Sequence, residues 1–590
     1  MGCRGAIAGH HVHLASGAAD WRLAARRTRR QAQVSPWRLR PPGVFDTDTN
    51  SIFVPCRAAR WTEGIILPAK EPDMNPRFTL ALASALLLST SAIAADLRVG
   101  VQNLPPFLDP GKDFSNTGSQ MYYNAFDPLI EKDYSKPEAV FKPGIATSWK
   151  QVSPTVFEVK IRNDVKFQNG DPLTVDDVVF TFERLLKDMT PEFAGIHRQF
   201  FANFINVDAL DESTVRFTTE KPEPLFETLL NTSEGSIVPK KYIMGLTGDA
   251  NLAEKSDFDA FALKPIGTGP YQIADYTPNE SLTYKRFDGF FGDKAPFETV
   301  TVRRIPEMAA RTTALANGEV DMITNVPPDQ LDAISSNPAL KVEGAVTPLF
   351  HVVIFNTRNG VLKDKRIREA LSMAIDRDLL NESLWLGKAV VPGTHTYPQY
   401  GPLYMPELKT FEYNPEKAKQ LLKDAGYDGS PVRYDTEATY YTNGLLAAQA
   451  IKEMWAAVGV PMNINVTPKW TAADPDMNSR NWSNPMYFAD PVGSFGTMWA
   501  PKGAGTEASW STTPVYDAMW ERFRYSTDVN ERKKAYAEMM NYVKDEAPFI
   551  PLYQPFESYG MSRKLDWKPL PGHIPYVLDF RAGAVSIATN

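Results

Sequence analysis

Residues that could carry out catalytic or metal chemistry are sparse in this sequence. A serine nucleophile elbow needs the spacing Gly-x-Ser-x-Gly, and Gly493-Ser494-Phe495-Gly496 does not have it. The chain contains neither the His-Glu-x-x-His pattern of zinc hydrolases nor a Walker A phosphate loop. The histidines beyond residue 73 are widely separated: His197, His351, His395 and His573. The sequence therefore argues against an enzyme and predicts no catalytic residue, no metal site and no cofactor.

Two polar, glycine-containing loops rich in aromatic residues are better candidates for chemistry, and that chemistry is ligand binding. The chain has 12 Trp, 23 Tyr and 32 Phe, most of which must serve the core. Aromatic faces at the mouth of a cleft exclude water, and their polar tips donate or accept hydrogen bonds. The predicted ligand-binding residues are Tyr440, Tyr441 and Asn443 in the first loop, and Tyr487, Phe488, Asp490 and Trp499 in the second.

The first 73 residues do not resemble a folded domain. They carry eleven Lys and Arg against six Asp and Glu, with no sustained amphipathic period. We expect residues 1–73 to be a disordered, non-native extension upstream of the true start. The alternative is a basic arm for nucleic acid or a membrane.

Residues 74–94 have the three parts of a secretory signal peptide. Met74 to Arg77 is a short basic region, residues 78–88 are apolar but too short to span a bilayer, and Ala92-Ile93-Ala94 is a cleavage site. We therefore expect a mature protein that begins near Ala95 and is exported to the periplasm. Subtracting the +5 of residues 1–73 and the +1 of Arg77 from the net charge of −7 leaves about −13, which disfavours nucleic-acid binding. Both cysteines precede residue 74, so the mature protein has no thiol chemistry.

The stretch 163–186 predicts a turn followed by a capped helix. Gly170, Asp171 and Pro172 are turn residues. Thr174 occupies the position of a helix N-cap, and Asp177 stands three residues later, as in a capping box. Apolar residues then recur at helical spacing up to Leu186, which predicts an amphipathic helix.

Other elements are predicted by the same rules. Strands are expected at 97–101 and 156–161, and Gly267-Thr268-Gly269-Pro270-Tyr271 is expected to turn into a strand rather than to bind a nucleotide. Isoleucine and leucine recur every four residues from Ile367 to Leu379, which predicts one buried helix. Another helix is expected after Asn414 and Pro415, ending at Gly426.

The residue pattern of the stretch 163–186 resembles a signature of the extracytoplasmic solute-binding proteins of family 5. These are the peptide, nickel and opine receptors of ABC importers. The matched positions are Phe167, Gly170, Pro172, Thr174, Asp177, Val178, Phe180 and Arg184. Further family markers run in order along the chain, from Leu108-Asp109-Pro110 through Gly267-Thr268-Gly269-Pro270-Tyr271 to Ala547-Pro548 and Tyr553. A helix at 122–130 is implied by the same comparison.

The resemblance implies an α/β chain with the three-lobed type II periplasmic-binding-protein fold, in which two strand crossovers form the hinge of a ligand cleft. Lobe I is expected to combine 95–126, 263–352 and 557–590, with an extra lobe at 127–262 and an opposing lobe at 353–556. The implied function is to capture a peptide or peptide-like solute as a monomer and deliver it to an ABC permease, whose ATPase is a separate subunit. An opine, oligosaccharide or metal-chelate receptor of the same fold is the alternative, and an exported hydrolase is the alternative of another class.

One departure from the family bears on the ligand. In peptide-binding members the second loop resembles Trp-x-x-Asp-x-x-Asp-Pro, and its first Asp pairs with the peptide ammonium. Here Asp490-Pro491 matches the end of that motif, but Tyr487 stands in the place of the first Asp. Because a buried ammonium without a carboxylate is costly, simple zwitterionic dipeptides are expected to bind poorly. Asp490 replaces the missing carboxylate only if the loop register differs.

Overall fold

A computed structural model describes residues 96–112, 115–136, 138–186, 198–247, 257–468, 476–570 and 577–587. The expected upstream extension at 1–73 and the expected signal peptide at 74–94 lie outside the described residues. From Ala94 to Asn590 the chain forms one unit. Within the described part of the chain, no helix is both long and apolar enough to cross a membrane.

The described strands are distributed along the whole of this unit. They are β1 (Leu97–Val101), β2 (Ile130–Lys132), β3 (Phe141–Pro143), β4 (Ala146–Ser153), β5 (Val156–Ile161), β6 (Phe204–Asp211), β7 (Thr214–Thr219), β8 (Tyr271–Thr277), β9 (Ser281–Arg286), β10 (Thr299–Arg304), β11 (Met322–Ile323), β12 (Leu340–Val346), β13 (Leu349–Phe355), β14 (Val432–Thr436), β15 (Met462–Val466), β16 (Ser479–Pro485), β17 (Phe549–Tyr553), β18 (Phe556–Ser562), β19 (Leu565–Trp567) and β20 (Val585–Ile587).

The described helices connect and cover these strands. They are α1 (Asn116–Ala125), α2 (Val175–Leu186), α3 (Arg198–Phe201), α4 (Phe226–Leu229), α5 (Lys240–Thr247), α6 (Asp257–Leu263), α7 (Met308–Ala316), α8 (Leu331–Ser335), α9 (Lys365–Met373), α10 (Arg377–Trp385), α11 (Pro415–Asp424), α12 (Gly444–Ala457), α13 (Phe495–Trp499), α14 (Ala504–Ser509), α15 (Pro514–Tyr525) and α16 (Val529–Glu546). Short 3₁₀ turns occur at Pro328–Gln330, Gly360–Lys363, Pro398–Leu403 and Pro491–Gly493.

Three larger sheets organise the unit. The seven-stranded sheet has the order β12-β18-β11-β1-β10-β9-β8, with β1 parallel to β10 and β11 at its centre. The five-stranded sheet has the order β15-β14-β16-β13-β17, and all seven residues of β13 are buried within it. The four-stranded sheet β4-β5-β7-β6 is antiparallel throughout. Each sheet buries an apolar face against helices, as mixed α/β architectures require.

The signature stretch folds as predicted, and the structure shows why. The carboxylate of Asp177 accepts hydrogen bonds from the backbone N–H and the hydroxyl of Thr174, at 2.9 and 2.8 Å, which is the return half of a capping box. Its other oxygen accepts from the backbone N–H of Lys240, at 2.9 Å. Arg184 at the far end of the helix forms a buried ion pair with Asp109 of the Leu-Asp-Pro marker. The signature helix is therefore anchored at both ends.

The Gly267-to-Tyr271 turn packs against the end of α1 and leads into β8, as expected. The backbone N–H of Gly269 donates to the carbonyl of Ala125 at 3.0 Å. Gln168, from the signature stretch, donates to the carbonyls of Ala125 and Tyr271, each at 2.8 Å, and accepts from the N–H of Gly267 at 2.9 Å. One buried amide therefore joins three segments that are far apart in the sequence.

Two helix predictions are corrected by the structure. The helix expected at 122–130 begins earlier, at Asn116 capped by Ser115, and ends at Ala125, after which Ile130 enters a strand. The single helix expected from Ile367 to Leu379 is two helices, α9 and α10. The chain breaks between them because the Asp376 side chain accepts from the N–H of Leu379 at 2.9 Å and starts a new N-terminus. The helix capped by Asn414 is confirmed, since its side chain accepts from Lys417 N–H at 2.9 Å.

Candidate functional site

Two short chain crossings join the seven-stranded sheet to the five-stranded sheet. Thr347-Pro348 connects β12 to β13, and Gln554-Pro555 connects β17 to β18. The backbone N–H and the hydroxyl of Thr347 both donate to the carbonyl of Pro555, at 3.0 and 3.1 Å. The two crossings are thus tied to each other at one point, while the sheets on either side are separate.

A cavity of about 60 Å³ lies beside these crossings, and we call it the hinge cavity. Gln102 at the end of β1, Gln120 on α1, Asn325 and Glu557 line it from the seven-stranded-sheet side. His351, Trp385, Tyr440 and Tyr441 line it from the opposite side. The Gln102 side chain donates to the carbonyl of Thr439 at 3.2 Å, which joins the two walls. The cavity is polar and large enough to hold water or part of a ligand.

His351 is an unusual component of this wall. Its ring stacks on Tyr441 with centroids 3.6 Å apart and planes 20° from parallel. Among the described residues neither ring nitrogen has a hydrogen-bond partner, although the side chain is buried. Burial lowers the pKa of His351 to about 3, so the imidazole is neutral at physiological pH. A buried polar ring without partners needs an explanation, and a bound polar group supplies one.

Glu557 places a carboxyl group in the same cavity. It is the second residue of β18, directly after the crossing, and only 6% exposed. One carboxyl oxygen accepts from the N–H of Asn325 at 3.2 Å. Burial raises the pKa of the Glu557 carboxyl to about 8, against the smaller opposing effects of that hydrogen bond and the Arg311 charge. The charge of Arg311 acts on it from a distance, but among the described residues no cationic side chain forms an ion pair with it.

A second cavity of similar size, which we call the aromatic cavity, lies at the other end of α1. Tyr487 and Phe488 line it together with Tyr122, Tyr123 and Tyr134. The rings of Tyr487 and Phe488 also contact Phe200, with centroids 6.2 and 5.0 Å away. The loop that carries Tyr487 therefore packs on the segment that contains the four-stranded sheet.

Lys132 brings a positive charge to the aromatic cavity. Its ammonium lies 5.5 Å from the centroid of the Tyr134 ring. Burial lowers the pKa of Lys132 to about 8, so the side chain remains mostly protonated at pH 7. The hinge cavity thus contains an acidic group, and the aromatic cavity contains a basic group.

The remaining predicted ligand-binding residues are not among those that line these two cavities. Asp490 is buried in an ion pair with Arg532, at 2.8 Å, and its other role is to accept from the N–H of Val492 at 2.9 Å. Trp499 is fully buried and stacks on Phe549 with centroids 4.2 Å apart. Asn443 has φ +63 and donates its side-chain amide to the carbonyl of Leu384 at 2.7 Å. These three side chains hold the loops in position.

Sequence reasoning missed His351, Glu557 and Lys132 as candidate site residues. A lone histidine in a strand of buried apolar residues is usually core, and neither carboxyl nor ammonium sits in a recognisable motif. The sequence did contain one signal for His351. Apolar residues stand on both sides of it in β13, and this pattern predicts that its titratable ring is buried. Within the described ranges, no group of three His, Cys, Asp or Glu side chains is arranged to hold a metal ion.

Known proteins share this architecture. The solved structure of DppA from Helicobacter pylori in complex with the peptide STSA is 23% identical, with a TM-score of 0.74 over 84% of this chain and 98% of that one. A dipeptide-binding protein from Pseudoalteromonas sp. SM9913, solved with Met-Leu, has a TM-score of 0.74 at 20% identity, covering 84% of this chain and 100% of that one. These similarities confirm the expected type II periplasmic-binding-protein fold.

Sequence comparison agrees with the structural one. The dipeptide-binding protein of Escherichia coli (strain K12) is 26% identical over 459 residues, which is 72% of this chain and 82% of that protein. The sequence model of bacterial extracellular solute-binding proteins, family 5 (middle), matches residues 140–506. That match spans more than half of the chain and includes the signature stretch. The chain therefore belongs to the bacterial extracellular solute-binding proteins of family 5.

Proposed function

We propose that this protein is the solute-binding component of an ABC importer, which captures a peptide or peptide-like solute in the periplasm and delivers it to the permease. The observation that carries this proposal is the hinge cavity, which lies between the seven-stranded and five-stranded sheets beside the two short crossings that join them. Short connecting strands of this kind absorb the change in backbone angles when two lobes close on a ligand. The relatives support a peptide as the ligand class, because they include a dipeptide-binding protein and a binding protein solved with the peptide STSA.

The lobes that move are proposed to follow the boundaries expected from the sequence: 95–126, 263–352 and 557–590 in one lobe, 127–262 in the extra lobe and 353–556 in the opposing lobe. In support, the strands of the seven-stranded sheet come from three stretches separated along the chain, at 97–101, 271–346 and 556–562. The protein acts as a monomer, and its partners are the ligand and the permease subunits. It carries the solute without converting it.

Ligand-driven closure is the test of this proposal. The protein purified from periplasm is unfolded in guanidinium, dialysed to remove bound solute, refolded, and mixed again with the small-molecule fraction that it released. Small-angle X-ray scattering should show a smaller radius of gyration after solute is returned, because closure brings the lobes together. Mass spectrometry should recover the solute unchanged. Conversion of the solute by the pure protein at enzymatic rates, or identical scattering with and without solute, contradicts the proposal.

Within this function, Tyr440, Tyr441, Tyr487 and Phe488 are proposed to contact the ligand, while Asn443, Asp490 and Trp499 hold the two loops. Tyr487 is half-buried and lines the aromatic cavity. A phenol is neutral at pH 7, so it stacks on a ligand or shares a hydrogen bond with it rather than pairing with a charge. Ligand choice is therefore expected to depend on this loop.

Replacing Tyr487 with alanine should weaken binding of the returned solute by about 1–3 kcal/mol, the scale of one lost buried polar contact and its unpaired partner. Isothermal titration calorimetry measures this directly. Tyr413→Ala is the matched control, because Tyr413 is 52% exposed and lies just before α11, outside both cavities. Normal binding by Tyr487→Ala would remove this residue from the site.

A further inference from the structure

The hinge cavity contains a carboxyl group that could bind a cation, and the resemblance to the family did not point to it. Asp490 is already committed to Arg532 and a backbone N–H. Tyr487 carries no charge. Glu557, in contrast, lines the cavity and is 94% buried, with Asn325 N–H as its hydrogen-bond donor. We propose that the Glu557 carboxylate binds an ammonium group of the ligand in the hinge cavity.

This inference rests on the proposed function. It specifies that the transported solute carries an amine. The geometry supports it in three ways. The Asn325 N–H holds one carboxyl oxygen of Glu557 and thereby orients the group. A cation entering the cavity also meets the aromatic walls formed by Trp385, Tyr440 and Tyr441, which attract positive charge. The His351 ring, whose nitrogens have no hydrogen-bond partner among the described residues, adds a neutral acceptor or donor beside them.

The position of Glu557 also links binding to closure. Glu557 follows Pro555 by two residues, and the carbonyl of Pro555 accepts both hydrogen bonds from Thr347. A ligand that pairs with Glu557 therefore contacts the crossing itself. Tyr440 and Tyr441 contact the ligand from the opposite wall. The ligand can therefore contact both walls only when the two walls are close together, which favours the closed state.

Protonation gives this proposal a signature that a purely structural glutamate lacks. The titratable groups that surround Glu557 are Arg311 on α7, His351 on β13, and the phenols of Tyr440 and Tyr441. With burial raising the pKa of Glu557 to about 8, the carboxyl is mostly protonated at pH 7 when the cavity holds no cation. An ammonium group favours the carboxylate, so binding at pH 7 should release up to one proton. Above pH 8 the Glu557 carboxyl is already ionised, so a lysine-ammonium probe should release no proton. A probe with an α-amine, whose own pKa is about 7.7–8.0, should instead take up a proton there, because it binds as the ammonium.

The experiment uses three probes on the refolded, ligand-stripped full-length mature protein. Met-Leu carries an N-terminal ammonium, N-acetyl-Met-Leu carries no amine, and N-acetyl-Met-Lys carries only a side-chain ammonium. Isothermal titration calorimetry in phosphate and in Tris, which differ in ionisation enthalpy, reports affinity and proton release together. We expect an amine-bearing probe to bind at least tenfold more tightly than N-acetyl-Met-Leu, with proton release at pH 7. If Met-Leu is that probe, the result reverses the expectation from Tyr487 that simple dipeptides bind poorly, because Glu557 then supplies the missing carboxylate. Comparing the two amine-bearing probes distinguishes an N-terminal from a side-chain ammonium.

Glu557→Gln keeps the size of the side chain and its acceptor for Asn325 N–H but removes the charge. This variant should lose at least tenfold in affinity for the amine-bearing probe, should release no proton, and should bind N-acetyl-Met-Leu as the wild type does. Glu343→Gln is the matched control, because Glu343 lies on the neighbouring strand β12, with its side chain 36% exposed. If Glu557→Gln does not fold, the comparison of probes and the proton release measured on the wild type still test whether an ammonium group is bound.

Three results overturn the proposal: equal binding of Met-Leu and N-acetyl-Met-Leu, no binding of either amine-bearing probe, or unchanged affinity and proton release in Glu557→Gln. None of these results bears on the proposed transport function, because that function is tested separately by the closure experiment with the protein's own solute. A protein that closes on that solute but shows any of the three results is a solute receptor whose ligand is not held through an ammonium at Glu557.

Discussion

Replacing Arg524 with methionine is expected to lower the free energy of unfolding by about 3–5 kcal/mol, because it leaves a buried carboxylate without its cation. Arg524 on α15 forms two hydrogen-bonded contacts with Glu223, each at 2.7 Å, and the side chains are 2% and 0% exposed. Asn203 donates a further hydrogen bond to Glu223 at 3.0 Å. The pair joins the segment that carries the four-stranded sheet to the helices of the five-stranded-sheet side. Urea unfolding followed by circular dichroism measures the change.

Lys221→Met is the matched control for this prediction. Lys221 pairs with Glu521 across the same two segments, but the side chains are 40% and 52% exposed. An exposed pair contributes about 0–1 kcal/mol, so this variant should unfold nearly as the wild type does. Replacing Glu223 and Arg524 together with apolar residues of similar size should recover most of the loss, because no unpaired charge then remains. Equal effects of Arg524→Met and Lys221→Met would show that burial does not set the strength of this contact.

Replacing Gly269 with alanine should destabilise the protein by about 3 kcal/mol, the upper range of overpacking effects. A Cβ at this position would lie 2.6 Å from the carbonyl carbon of Ala125 and 2.8 Å from the carbonyl oxygen of Asn124. These are backbone atoms at the end of α1, and they cannot rotate away. The substitution therefore forces apart the turn and the helix that Gln168 holds together. Thermal unfolding measured by calorimetry should show the loss as a lower Tm.

Gly245→Ala serves as the control with the opposite expected sign. Gly245 lies within α5, and an added Cβ there meets no atom within 4 Å. Alanine in a helix interior is favoured over glycine by about 0.5–1 kcal/mol, so this variant should be slightly more stable. If both alanine variants shift Tm in the same direction, the close approach of Gly269 to α1 is not the reason that glycine stands there.

Local features of the fold were predictable because their causes are local. The turn at Gly170 and the helix cap at Thr174 and Asp177 depend on contacts across three residues, and the structure reproduces them. The prediction of one helix from Ile367 to Leu379 was wrong for a local reason as well. Apolar spacing of four residues continues through the break, but Asp376 caps a new helix and its side chain overrides the period.

The predicted ligand-binding residues divide according to contacts that no spacing rule shows. Tyr440, Tyr441, Tyr487 and Phe488 line cavities, whereas Trp499 stacks on Phe549, fifty residues later in the chain. Both classes of aromatic residue stand in glycine-containing loops, so composition does not separate them. Their role in binding remains a prediction, for which Tyr487→Ala is the first test.

By itself, the sequence determined the family, the turn at Gly170 and the helix caps at Asp177 and Asn414, since each depends on residue types at short separations. Only the tertiary structure decided which charged groups remain available to a ligand. Asp490 is neutralised by Arg532, forty-two residues away, while Glu557 reaches the hinge cavity without an ion-pair partner among the described residues. The physical reason is that pairing and burial set the cost of a charge, and both depend on neighbours that folding brings from distant parts of the chain.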